Sequence, residues 1–133
     1  MPSSDRKQPP HPTDAELDIL AALWRLGPAT VREVHEALAA DTGYTTTLKQ
    51  MQVMTEKGLL DRSERFRSHV YTAHAPKELT QRQVVGELLS RVFNGSAASL
   101  VMGALSAQPA SRKDLAEIRK MLDVYAKKKG RLS

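Results

Sequence analysis

Short hydroxyl and amide side chains are concentrated in the segment Tyr44-Thr45-Thr46-Thr47-Leu48-Lys49-Gln50-Met51-Gln52. Such groups can approach base edges and phosphates without blocking the major groove of DNA. A basic group follows at Arg65, Arg67 and His69. Cations placed in this way can track the phosphate backbone. Taken together, these residue types indicate contact with a nucleic acid.

The first group is positioned by a predicted helix that runs from about Thr45 to Lys57. Leu48, Met51 and Met54 recur at helical spacing and are predicted to form its buried stripe. Gly58 follows as the residue that ends the helix. The remaining faces would then carry the polar side chains, which are Thr45, Thr46, Thr47, Lys49, Gln50 and Gln52. The free N–H groups and positive dipole at the start of this helix also suit a phosphate.

Two further helices are predicted ahead of this one. Thr13 with Glu16, and Thr30 with Glu33, form T-x-x-E capping boxes. Apolar residues follow each box at helical spacing, so the helices should run from about 14 to 26 and from about 31 to 40. The pair Gly27-Pro28 separates them.

The second group is positioned by a predicted β-hairpin between residues 59 and 73. Val70 and Tyr71 have strand character, and the pair Arg67-Ser68 marks the expected turn. Pro76 closes the unit. Three helices followed by a hairpin, in about 65 residues, is the order of a winged helix-turn-helix domain, which we place at residues 13–76.

The rest of the chain is predicted to be helical, which makes the fold class mostly α with a small β-hairpin. Helices are expected over about 79–93 and 96–107 and from 111 past 125. Their apolar stripes exceed what a small winged domain can cover, so we predict a dimerisation region at 77–126, although packing within one compact monomer is the alternative. The predicted dimerisation residues are Val85, Leu88, Leu89, Val92, Leu100, Val101 and Leu105. Residues 1–12 are predicted to be a disordered lead-in and 127–133 a basic tail.

Composition excludes several classes of function. The net charge is +5, but residues 1–76 are nearly balanced and the surplus lies in the second half. There are no cysteines, and the four histidines lack ligand spacing, so we expect no metal site, no cofactor and no redox chemistry. No nucleophile–base arrangement or phosphate-binding glycine loop is present, which argues against an enzyme. Without a secretory signal or a membrane-spanning segment, the chain is predicted to be soluble and cytoplasmic.

Each local signal also has a simpler interpretation. A threonine cluster before a helix is often only a cap, and an arginine-rich hairpin tip is often solvated surface. A second class of function is a winged-helix adaptor that binds another protein. It would use the acidic face of the first two helices, which carries Asp14, Glu16, Asp18, Glu33 and Glu36. Steep weakening of binding by salt would favour DNA over the adaptor.

Several stretches together resemble the penicillinase repressor (BlaI/MecI/CopY-like) family. The resemblance covers about residues 13–125 and is carried by the order and spacing of its motifs rather than by one of them. These motifs are Leu17-Asp18-Ile19-Leu20-Ala21-Ala22-Leu23-Trp24, Thr30-Val31-Arg32-Glu33-Val34, Tyr44-Thr45-Thr46-Thr47-Leu48, Glu56-Lys57-Gly58-Leu59-Leu60, Tyr71 and Phe93-Asn94-Gly95-Ser96.

The resemblance implies a dimeric transcriptional repressor whose third helix enters the major groove of a dyad operator, commonly of TACA/TGTA type. Carried onto this chain, it implies groove and phosphate contacts from the third helix and from the wing. The implied DNA-binding residues are Tyr44, Thr45, Thr46, Lys49, Gln50, Arg65 and Arg67. Relatives leave DNA when a membrane sensor-protease triggers their cleavage or when copper binds.

The chain departs from the family pattern in three places. Val53 stands where relatives often carry a basic residue that contacts the DNA backbone. The cysteine motif of the copper-responsive branch is absent, since the chain has no cysteine. Gly103-Ala104 occupies the place of the Asn-Phe bond that is cleaved in relatives. The resemblance therefore leaves the inducing signal open.

Overall fold

The computed structural model describes residues 11–39 and 41–132. The predicted disordered lead-in lies mostly outside this range, as does Ala40, near which the second helix was expected to end. Six helices and two strands are present in the described residues. They are α1 Asp14–Leu26, α2 Val31–Leu38, α3 Tyr44–Glu56, β1 Leu60–Arg65, β2 Ser68–Ala73, α4 Lys77–Arg91, α5 Ala97–Ala107 and α6 Arg112–Leu132.

Both predicted capping boxes form. At the start of α1 the Thr13 N–H donates to Glu16 Oε1 at 2.9 Å, and the Glu16 N–H donates to Thr13 Oγ1 at 3.2 Å. Thr30 and Glu33 repeat the arrangement at the start of α2, with the same two distances. Each box satisfies two backbone groups that a helix start leaves unpaired, which is why the sequence alone located both helix starts.

The hairpin is antiparallel and continuous from the pair Leu60↔Ala73 to the pair Arg65↔Ser68. Its turn is formed by Phe66 and Arg67, one residue earlier than predicted. The hairpin is joined to the α1–α2 connection by two backbone hydrogen bonds between Ala29 and Tyr71, of 2.8 and 3.1 Å. These two hydrogen bonds hold the hairpin, which is the wing of the domain, against the connection between the first two helices.

The core of the N-terminal unit lies among α1, α2, α3 and the hairpin. Its largest fully buried side chains are Tyr71, Ile19, Met51, Met54, Leu60, Val34 and Thr47. The buried stripe of α3 therefore runs through Thr47, Met51 and Met54, at the spacing i, i+4, i+7. The predicted stripe began at Leu48, which is only half-buried. Placing Thr47 on an outer face was therefore wrong.

Contacts divide the chain into two compact units, with the division after Gly86, inside α4. Residues 92–96 separate α4 from α5, and among them Asn94 and Gly95 have positive φ, of 51° and 79°. The last helix continues to Leu132, so most of the stretch predicted as a basic tail is helical. The predicted fold class, mostly α with a small hairpin in winged helix-turn-helix order, is confirmed.

Candidate nucleic-acid interface

Most of the polar side chains that the sequence predicted as DNA contacts on α3 lie on its exposed face. Thr45, Thr46 and Lys49 are exposed, and Gln50 is half-buried. Gln52 is exposed as well, and with Thr45 and Lys49 it follows the spacing i, i+4, i+7 opposite the buried stripe. Gln52 was not among the predicted DNA-binding residues, although it lies on the same exposed face. The result is a polar stripe along the solvent side of the helix.

A groove of about 350 Å³ separates α3 from the start of α1. Lys49 and Gln50 contribute to its walls, and Gln50 is half-buried there. The lining residues are Thr13, Glu16, Thr45, Thr46, Lys49, Gln50 and Val53.

Tyr44 opens α3 and lies beside α2. The Arg32 guanidinium carbon is 4.9 Å from the centre of the Tyr44 ring, a cation–π contact. The His35 ring meets the same tyrosine edge to face, with centroids 6.0 Å apart. Gly43 precedes the helix and supplies no side-chain cap, so no cap side chain occupies the first turn of α3. Arg32 thus adds a cation next to the predicted contact at Tyr44.

One buried hydrogen bond connects α2 with α3. His35 Nδ1 and Thr47 Oγ1 lie 2.8 Å apart, and the Thr47 side chain is almost completely buried. A buried hydroxyl needs such a partner, since leaving it unpaired is unfavourable. Together with the buried Met51 and Met54, the bond therefore fixes the rotation of α3 about its axis, and with it the set of side chains that faces solvent.

An ion pair connects the end of α3 with the start of α1. Lys57 Nζ donates to both carboxylate oxygens of Glu16, at 3.0 and 2.8 Å. Burial raises the pKa of Glu16. The hydrogen bonds from Lys57 and from the Thr13 N–H, with the charge of Lys57, outweigh burial, so the pKa lies below its ordinary value. Glu16 is therefore ionised and paired at neutral pH.

The wing presents exposed cations. Arg65 ends β1 and Arg67 lies in the turn, and both are solvent-exposed. In the described part of the chain neither arginine has a carboxylate within ion-pair distance, whereas His69 Nε2 lies 3.9 Å from a carboxylate oxygen of Glu64. The predicted wing contacts are thus available to an external anion.

The acidic face considered for an adaptor is partly used inside the protein. Glu16 is buried in its ion pair with Lys57, and Glu33 closes the capping box of α2. Asp14, Asp18 and Glu36 remain exposed. The face therefore offers fewer free carboxylates than its sequence indicated.

The predicted dimerisation residues lie on or next to α4 and α5. Val85, Leu88, Val92 and Val101 are exposed, whereas the other three, Leu89, Leu100 and Leu105, are half-buried. The last helix adds exposed apolar side chains, which are Leu115, Met121, Leu122, Val124 and Tyr125. From residue 81 to residue 130 no side chain is fully buried. These helices therefore leave their apolar faces accessible.

No three His, Asp or Glu side chains of the described residues are arranged to hold a metal ion. None of the helices described is both long and apolar enough to cross a membrane.

Comparison with known proteins supports the family resemblance. The sequence model of the penicillinase repressor family matches residues 12–124. The chain is 37% identical over 87 residues to the transcriptional regulator BlaI of Mycobacterium tuberculosis (strain CDC 1551 / Oshkosh), which covers 62% of this chain and 63% of that protein. It is 23% identical over 125 residues to the penicillinase repressor of Bacillus licheniformis, covering 92% of this chain and 98% of that protein.

The match to the mycobacterial regulator thus spans less than two thirds of that protein's length. Among solved structures, a MarR-like transcriptional regulator from Thermotoga maritima is similar with a TM-score of 0.43 and 16% identity. That comparison covers 98% of this chain and 82% of the other. Because the family model matches most of the sequence, the chain belongs to the penicillinase repressor family, whose members are transcriptional regulators and not enzymes.

Proposed function

We propose that this protein is a cytoplasmic, sequence-specific transcriptional repressor that binds a dyad operator of TACA/TGTA type as a homodimer. In this proposal α3 enters the major groove and the wing contacts the adjacent phosphate backbone. The observation that carries it is the polar stripe of α3, which is exposed along its length while the helix is anchored on its other sides.

The anchoring supports the proposal because base readout needs a rigid helix. The buried stripe of α3, its bond to His35 and the Lys57–Glu16 ion pair constrain the helix at its middle, start and end. Thr45, Lys49 and Gln52 are then presented together on the opposite face. Their hydroxyl, ammonium and amide groups match the acceptors and donors of the major groove and of phosphate.

The wing supports the same function by charge. Arg65 and Arg67 are exposed and lack carboxylate partners among the described residues. Phosphate contacts of this kind fix the register of a protein on a duplex, whereas the base contacts supply sequence specificity.

A second copy of the chain would cover the apolar side chains of the C-terminal helices. A surface with many exposed valine, leucine and methionine side chains is characteristic of a protein–protein interface. Two copies related by a two-fold axis also present two α3 helices, which suits half-sites about one helical turn apart. The C-terminal region is therefore the proposed site of dimerisation.

The first experiment compares two labelled duplexes by fluorescence anisotropy, one with a TACA/TGTA dyad and one with the same bases scrambled. We expect a Kd of about 10⁻⁸ M or tighter for the dyad and binding about a thousandfold weaker to the scrambled duplex. Both Kd values should rise steeply with salt because counterions are released on binding. Equal Kd values for the two duplexes, with binding lost at higher salt, would contradict sequence-specific recognition.

Lys49 provides a test of the orientation of α3. Lys49→Ala should raise the Kd for the dyad about tenfold and lower the slope of log Kd against log salt by about one, because one phosphate contact is lost. Lys113→Ala removes an equally exposed lysine from α6 and serves as the matched control, for which both values should stay near wild type. Equal losses in the two variants would mean that net charge, rather than α3, governs binding.

A further inference from the structure

The tip of the wing has an unusual backbone for its residues. Phe66 and Arg67 both have positive φ, of 51° and 67°. A two-residue turn with both angles positive is the type that Asn-Gly or Asp-Gly normally fills, because a larger side chain is unfavourable in the left-handed region. Phenylalanine is among the residues least suited to such a turn, so the hairpin itself does not explain its presence.

Packing does not explain it either. The Phe66 side chain is 93% exposed, more than any other large apolar side chain in the described residues. A ring in this position gains almost nothing from burial on folding. A strained backbone that carries an unburied aromatic ring points to a function outside the folded chain.

The surroundings of Phe66 identify the class of partner. Its neighbours Arg65 and Arg67 are exposed cations without carboxylate partners among the described residues. An apolar ring flanked by two cations matches a groove whose rims are phosphates and whose walls are sugars and base edges. A protein partner would need a larger apolar patch, whereas the wing residues from Asp61 to His69 offer no other exposed large apolar side chain.

We infer that Phe66 is a DNA-contacting residue, which enters the minor groove beside the half-site bound by α3 while Arg65 and Arg67 hold the phosphates on either side. Apolar side chains inserted in this way act as wedges that partly unstack a base step and bend the duplex. The inference rests on the proposed function, and it adds a contact that depends on the flexibility of DNA rather than on major-groove hydrogen bonds.

The test uses Phe66→Asn in the full-length chain. Asparagine tolerates the left-handed region, so the variant should be at least as stable to heat as wild type. Its Kd for the dyad duplex should nevertheless rise about tenfold because the wedge is lost. The slope of log Kd against log salt should stay unchanged, since no phosphate contact is removed.

Two further variants separate the ring from its charged neighbours. Arg67→Asn places the same residue at the next turn position, but it should lower the salt slope by about one. Phe66→Trp keeps an aromatic wedge, so its Kd should remain within about threefold of wild type. Measured in a Trp24→Phe background, its indole emission should be shielded from acrylamide when the dyad duplex is added.

The outcomes are distinguishable from failure of the proposed function. If wild type prefers the dyad and Phe66→Asn binds it equally well, the inference is overturned and the proposed function stands. A salt slope that falls in Phe66→Asn as in Arg67→Asn would also overturn it, because the loss would then be electrostatic. If wild type binds neither duplex, the proposed function and the inference both fail.

Discussion

His35, Thr47, Glu16 and Lys57 anchor the two ends of α3 without belonging to its exposed face. The first pair joins the start of α3 to α2 through a hydrogen bond of 2.8 Å, and the second joins its end to α1 through an ion pair. The partners are 12 and 41 residues apart in the chain. In the proposed function these residues would therefore position α3.

The Glu16–Lys57 pair predicts how stability depends on pH. Since folding lowers the pKa of Glu16 below its ordinary value of 4.5, the unfolded chain binds more protons between the two values, and stability rises with pH there. The contribution is present above 4.5 and is lost as the pH falls through the folded pKa. Glu16→Gln should lose about 1 kcal/mol of unfolding free energy at pH 7, since Lys57 is partly exposed.

Urea unfolding of wild type and Glu16→Gln at pH 7 and at several values below 4.5 checks this prediction. The difference between the two proteins should shrink as the acid protonates Glu16. Asp18→Asn, an exposed carboxylate on the same helix, serves as the control and should change stability little at either pH. A Glu16→Gln difference that is independent of pH would contradict the assignment.

At the scale of elements, the rotation of α3 decides which of its threonines face solvent. Thr45 and Thr46 are exposed, whereas Thr47 is buried against α2. Two of these three identical neighbours are thus exposed and one is buried, because successive side chains on a helix are turned by about 100°. If α3 binds DNA as proposed, Thr47 contributes to stability, whereas Thr45 and Thr46 are free to contact the duplex.

Thr46→Val should therefore weaken DNA binding, whereas Thr47→Val should lower stability. Thr47→Val removes the hydroxyl bonded to His35, so the unfolding free energy should fall by about 1 kcal/mol. Thr46→Val should leave stability within about 0.5 kcal/mol of wild type but raise the Kd for the dyad duplex about fivefold, through loss of one hydrogen bond.

Thermal unfolding and anisotropy on the same samples test the pair, and each variant is the control for the other. The reverse pattern, in which Thr46→Val unfolds early and Thr47→Val binds weakly, would mean that α3 is rotated by about a quarter turn or more relative to this structure.

At the scale of the whole molecule, the two units differ in how they use apolar side chains. The N-terminal unit buries a core of leucine, isoleucine, methionine and tyrosine. The C-terminal unit has no fully buried side chain between residues 87 and 130, and Val92 there is 61% exposed. This contrast is the basis for proposing that one unit recognises DNA and the other forms the dimer.

Val92→Glu should convert the proposed dimer into a monomer. Placing an unpaired carboxylate in an apolar interface is strongly unfavourable, so the dimer dissociation constant should rise by at least about a hundredfold. Sedimentation equilibrium measures this change directly. Ser90→Glu adds the same charge at an exposed polar position of α4 and should leave the dimer intact. Dimers of unchanged stability in Val92→Glu would place the interface elsewhere.

Much of the fold was predictable because it depends on interactions between near neighbours. The two capping boxes connect residues three positions apart, and the helix order and hairpin follow from apolar periodicity and turn residues. The polar residues of α3 and the arginines of the wing were recognised from their types, from the predicted helix and hairpin, and from the family resemblance. Their assignment as DNA contacts remains a prediction.

The tertiary structure decided what local patterns leave undetermined. The sequence alone established two capped helices, a third helix with polar side chains and a basic hairpin. It misplaced Thr47 because threonine is compatible with either face of a helix, and only the distant partner His35 makes burial favourable. It also left unseen the pairing of Glu16 with Lys57 and the exposed, strained Phe66. These features depend on contacts between segments far apart in the chain, or on their absence, and such contacts exist only once the chain has packed.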